Sequence, residues 1–110
     1  PLSTPVDLQQ LRLFSGGDQA EEKALINLFL EQADQIIQKL SECVDTEKQS
    51  EWKAAAHKFK GSSGNFGARR LFHLCRRAEA QANEPEEDKR EMLYAIQQEL
   101  NYIKTYIASI

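Results

Sequence analysis

The run Leu93-Tyr94-Ala95-Ile96-Gln97-Gln98-Glu99-Leu100-Asn101-Tyr102-Ile103-Lys104-Thr105-Tyr106-Ile107-Ala108-Ser109-Ile110 decides how this chain folds. Leu93, Ile96, Leu100, Ile103, Ile107 and Ile110 step by 3, 4, 3, 4 and 3 residues. That spacing draws a narrow apolar seam along one helix face, the pattern by which helices pack in bundles. Pro85 with Glu86 and Glu87 opens this helix. Proline gives up an N–H that the first turn leaves unused, and the carboxylates suit the positive end of the helix dipole.

Working back along the chain, the same period recurs and no alternating stretch is long enough for a strand. Leu71, Leu74, Cys75, Ala78 and Ala82 form the inward face of a preceding helix. Gly64-Asn65-Phe66-Gly67 reads as the turn before it. Thr46 with Gln49 resembles a capping box, and the helix it opens should run to about Ser63. Asp18 with Glu21 opens a longer one, with Leu25, Phe29, Ala33, Ile36, Ile37, Leu40 and Val44 inward. Thr4-Pro5 reads as N-cap and first helical residue of a short helix bearing Val6, Leu8, Leu11 and Leu13, closed by Ser15-Gly16-Gly17. The expected fold is all-α: an antiparallel four-helix bundle with a short additional N-terminal helix, one domain over residues 1–110.

The 110 residues suit one core of ordinary size, and 41% apolar with 28% charged residues suits a folded amphipathic chain. No apolar run is long enough to span a membrane, and no charged-then-greasy leader is present. A start at Pro1 without Met suggests a domain excised from something longer. Two cysteines, Cys43 and Cys75, make no disulfide framework and have no metal spacing, so a reducing, cytoplasmic setting is expected. The formal charge of −3 conceals an asymmetry. Trp52 to Ala78 holds no acid but seven basic residues: Lys53, Lys58, Lys60, Arg69, Arg70, Arg76 and Arg77. A basic patch on an acidic body points to an anionic partner.

His57 sits in that patch. At about 100° per residue, Trp52, Ala55, Ala56, Phe59 and Ser63 cluster on one helix face, while His57 lies about 140° from Trp52 with Lys53, Lys60, Gly61 and Gly64. The ordinary reading of such a histidine is a solvated side chain. Two neighbours argue for more. Gly61 costs a helix about 0.8–1 kcal/mol relative to Ala, yet at i+4 it opens space beside the imidazole. Lys60, at i+3, can reach the outer ring nitrogen and neutralise an anion there. A neutral imidazole with a flanking cation and open approach suits reversible capture of a phosphoryl group, a reaction governed by positioning and charge stabilisation.

The segment Ala56-His57-Lys58-Phe59-Lys60-Gly61-Ser62-Ser63-Gly64-Asn65-Phe66-Gly67-Ala68, followed by Leu71, Leu74-Cys75 and Glu79, resembles the histidine-containing phosphotransfer (HPt) domain, as found in hybrid sensor histidine kinases among other settings. The match to its His-x-x-Lys-Gly-Ser, Gly-Ala and Leu-Cys pattern spans some two dozen residues, and Leu28-Phe29-Leu30-Glu31 and the overall length fit too. The resemblance implies a phosphorelay intermediate: His57 accepts a phosphoryl group from a phospho-Asp receiver domain and passes it to another receiver. Lys60 would supply charge, Gly61 clearance, and Ser62-Ser63 packing. Glu79 stands where the family can place a Gln or Glu on the inner imidazole nitrogen, which would leave Nε2 free to attack. Lys53, Lys58, Gly61, Gly64 and Arg76 would face the partner. Phe59 and Ala78 replace commoner leucines, both core changes.

No P-loop or nucleotide lid accompanies these residues, so a carrier is expected rather than an ATP-dependent kinase. No cofactor is expected on this chain; magnesium would sit on the receiver. Two rivals remain: a helical protein-interaction module without phosphotransfer, and a helix-turn-helix DNA binder, for which the turn after the His helix and the acidic remainder are unhelpful. A metal site from His57, His73 and Cys75 is not expected, because His73 and Cys75 point about 160° apart on their helix.

Overall fold

The computed structural model describes residues 4–110; residues 1–3 of the expected 1–110 domain lie outside it. Five α-helices follow in order: α1 Leu8–Ser15, α2 Gln19–Ser41, α3 Gln49–Phe66, α4 Arg69–Ala80 and α5 Glu86–Ala108. There is no strand among the described residues. Helices α2 to α5 form the antiparallel bundle, α2 and α4 each packing against both α3 and α5, while α1 lies on α2. The particle is elongated, 44 × 22 × 18 Å.

The expected seams supply the core. Phe29, Ala33, Ile36 and Leu40 of α2 meet Trp52, Ala56 and Phe59 of α3, Leu71, Cys75 and Ala78 of α4, and Leu93, Ile96, Leu100 and Ile103 of α5. Phe29 and Phe66 stack with ring centres 4.0 Å apart. The α5 seam fades at its end, where Ile107 is only partly buried and Ile110 is exposed. Asp18 caps α2 as expected, accepting from the N–H groups of Ala20 and Glu21.

Several boundaries differ from the sequence reading: Val44 and Ala82, expected on the inward faces of the second and fourth helices, are buried but lie past the ends of α2 at Ser41 and α4 at Ala80. Helix α1 begins at Leu8, capped by Asp7 rather than Thr4, because the Asp7 carboxylate accepts from the N–H groups of Gln9 and Gln10. Pro5 and Val6 are buried ahead of it, and Asp7 N–H is fixed on the Gly67 carbonyl at 2.8 Å. Asp45, not Thr46, caps the next turn, a single 3₁₀ turn over Thr46–Lys48 that leads into α3. Helix α3 then continues through Gly64 to Phe66. It stops at Gly67, whose φ of +85° is the left-handed conformation that glycine adopts without cost.

Candidate functional site

The bundle presents α3 with its buried face as expected: Trp52, Ala55, Ala56, Phe59 and Ser63 point inward, and the His57 side chain is 68% exposed on the opposite side. Antiparallel packing brings the last turn of α4 alongside it. There Glu79 reaches back across the helix pair. Its Oε2 lies 3.0 Å from His57 Nδ1 and its Oε1 lies 2.8 Å from Lys60 Nζ.

This geometry fixes the chemistry of the ring. A carboxylate only accepts, so Nδ1 carries the proton and donates it to Glu79. Nε2 is then left with its lone pair on the solvent side. Glu79 is kept ionised, as an acceptor must be. The hydrogen bond from the Lys60 ammonium holds its carboxyl below the ordinary value, with a further contribution from His57 and some opposition from partial burial. Lys60 therefore sits on Glu79, rather than at the outer ring nitrogen that its spacing from His57 made reachable.

The two glycines part company. A Cβ placed on Gly61 meets no neighbouring element within 4 Å, so the opening beside His57 has no purpose inside the chain. One on Gly64 would come 3.2 Å from Phe72 Cδ1, so Gly64 lets α4 approach α3. Ser63 is buried, with its Oγ 4.0 Å from Cys75 Sγ, while Ser62 is half-exposed. Burial pushes the Cys75 thiol up to about 12, as befits an inert core residue. Cys43 is buried as well. His73 is exposed with its ring edge on Phe72, away from Cys75.

The basic run is partly consumed by the fold. Lys60 pairs with Glu79, Arg69 with Asp7, and Arg70 with Glu99 while lying over the Tyr102 ring. Lys53, Lys58, Arg76 and Arg77 stay exposed and form no ion pair among the described residues. Lys53 shares the His57 stripe and Arg76 lies one turn before Glu79. Lys58 is turned toward α2, where it lines a groove with Gln35 and Lys39. The sequence reading missed an apolar groove between α1, α2 and α3, formed by Leu11, Phe14, Leu25, Leu28, Ser62 and Asn65. Phe14 and Leu28 are 61% and 52% exposed, and both lie off the inward stripes of their helices.

A family model described as the Hpt domain matches residues 24–106, which includes every residue of the His57–Lys60–Glu79 cluster. The chain belongs to the Hpt domain family. Two solved structures show how far the fold of this Hpt domain is shared. Histidine-containing phosphotransfer protein B from Pseudomonas aeruginosa aligns over 97% of this chain and 95% of its own, with 19% identity and a TM-score of 0.83. A histidine-containing phosphotransfer protein from maize aligns over 98% and 90%, with 22% identity and a TM-score of 0.84. At these identities the likeness concerns the helical architecture. No curated protein matches this Hpt domain by sequence. No described helix is long and apolar enough to cross a membrane.

Proposed function

We propose that this Hpt domain is a phosphorelay intermediate that carries a phosphoryl group on Nε2 of His57, taking it from a phospho-Asp receiver domain and giving it to another. The observation that carries the reading is the bond from His57 Nδ1 to Glu79, which turns Nε2 outward beside the open face of Gly61. In the forward step the Nε2 lone pair attacks phosphorus in line. The P–Nε2 bond forms as the P–O bond of the acyl phosphate breaks, and the receiver aspartate leaves as a carboxylate. Positive charge that develops on the ring is offset at Nδ1–H by the Glu79 carboxylate. Lys60, already one turn from the imidazole, stands ready to share its ammonium between Glu79 and the arriving phosphoryl oxygens.

Magnesium and the acidic site that binds it belong, in this reading, to the receiver. Exposed Lys53 and Arg76 complement such an acidic surface and favour fast encounter. The α1–α2–α3 groove, reaching Asn65 about 12 Å along α3 from His57, gives the docked receiver an apolar contact beside the charged one. Two buried free thiols agree with a reducing, cytoplasmic setting.

The test is transfer of labelled phosphate from a panel of phosphorylated receiver domains to the wild type and to His57→Gln. Acid-labile, base-stable label on the wild type alone is expected. No label on a correctly folded wild type from any receiver would move the function to a binding module.

A further inference from the structure

Glu79 is the penultimate residue of α4, in a last turn closed by the Gln81 N–H, which is shared between the Arg77 and Ala78 carbonyls at 3.1 Å each. Its carboxylate meets both His57 and Lys60 at hydrogen-bond distance. Something must hold this helix end in register with α3. The α3–α4 pair is pinned near its turn by the close approach of Gly64 to Phe72 and of Ser63 to Cys75. At the other end one directional contact stands out. The indole N–H of Trp52 donates to the carbonyl of Ala78 at 2.8 Å, and Ala78 immediately precedes Glu79. Trp52 is fully buried, and the ammonium of Lys89, from the start of α5, lies 5.6 Å from its ring centre. The ring is thus held by α5 while its N–H holds α4. A slip of roughly half an ångström or more at Ala78 would carry Glu79 Oε2 beyond hydrogen-bond reach of Nδ1.

We infer that Trp52 is a positioning residue for the phosphoryl-accepting histidine: by fixing the Ala78 carbonyl it sets Glu79 on His57 Nδ1 and so selects the tautomer with Nε2 free. The consequence for transfer rests on the proposed function, whereas the tautomer does not.

The imidazole ¹⁵N spectrum reads the tautomer directly. Wild type should show the Nδ1–H form as the dominant neutral species. Trp52→Phe removes the donor and should give a mixture with the Nε2–H form that free histidine prefers. Its transfer rate should fall about three- to tenfold, what one net hydrogen bond is worth. Glu79→Ala should lose the preference altogether, and adding Trp52→Phe to it should change nothing further, because the tryptophan acts through Glu79. Ile103→Val, a mild core change on α5, should leave the spectrum untouched. If Trp52→Phe does not fold, 3-benzothienylalanine at position 52 keeps the ring shape without the N–H and decides the matter. A wild-type spectrum in either donor-less variant, or additive effects in the double variant, would overturn the inference. A wild type that shows the tautomer but accepts no phosphate would instead count against the proposed function.

Discussion

Gly61 and Gly64 lie three residues apart on the same helix, yet substitution should affect them in opposite ways. Nothing crowds a methyl group at Gly61, so Gly61→Ala should raise stability by about 0.8–1 kcal/mol from helix propensity alone. In the proposed relay the same methyl group would stand in the path of a receiver approaching His57, and transfer should slow sharply. At Gly64 the propensity gain is offset by a contact at 3.2 Å with Phe72, so Gly64→Ala should gain little or lose stability. Urea midpoints of the two variants, set beside transfer rates, check both. Glu79 carries a pH signature with a definite sign. Its folded-state value lies below the ordinary 4.5, so its ionised form contributes stability that is complete above 4.5 and is lost as pH falls through the lowered value. The stability gap between wild type and Glu79→Gln should therefore persist at neutral pH and close only below 4.5. The exposure of His57 was legible from the helix wheel, because one angle decides it. The link from Lys60 to Glu79 was not, since it joins residues on two helices whose register no spacing within either helix reveals.

At the scale of the helices, α1 is tied to the site-bearing helix by one side chain. Gln10 Nε2 donates to the carbonyls of Gly64 and Asn65 at 2.7 and 3.1 Å, both in the last turn of α3. The Gly64 carbonyl also accepts from the capping Gly67 N–H at 3.2 Å, so the glutamine adds to a closed helix end. Gln10→Ala should cost about 1 kcal/mol and speed amide exchange in the last turn of α3, while the α5 amides keep their protection. The helices themselves were readable from apolar spacing, and Asp18 from its cap pattern. The misplaced starts share one cause: Thr4 and Thr46 fit a capping pattern, but Asp7 and Asp45 stand close by and a carboxylate takes the free N–H groups. The end of α3 was misplaced because Gly64 looks like a stop. Tertiary contact with Phe72 explains that glycine, and the positive φ that ends the helix belongs to Gly67.

Across the whole molecule, the bundle buries one ammonium that its apolar pattern did not foretell. Lys89 is fully buried, and its Nζ has no hydrogen-bond partner among the described residues, only the Trp52 ring nearby. Burying a charge so sparsely satisfied is unfavourable, and an apolar side chain of like length should fit better. Lys89→Met should raise stability by about 1 kcal/mol or more after the loss of the cation–π contact, read as a higher unfolding midpoint. An unchanged or lowered midpoint would mean that the ammonium is better compensated than its surroundings indicate. The basic run also changes meaning at this scale, since three of its seven cations hold the fold together, while Lys53 shares the His57 stripe and Arg76 lies one turn before Glu79. All these features converge on a bundle that turns one ring nitrogen outward. The most direct measurement is therefore the site of the P–N bond, from ³¹P–¹⁵N coupling in the ¹⁵N-histidine-labelled chain after phosphorylation by phosphoramidate. Phosphorus on Nε2 of His57, with Nδ1 still protonated, is the predicted result. Phosphorus on Nδ1 or on His73, or a His57 ring that takes no phosphate, would contradict the account.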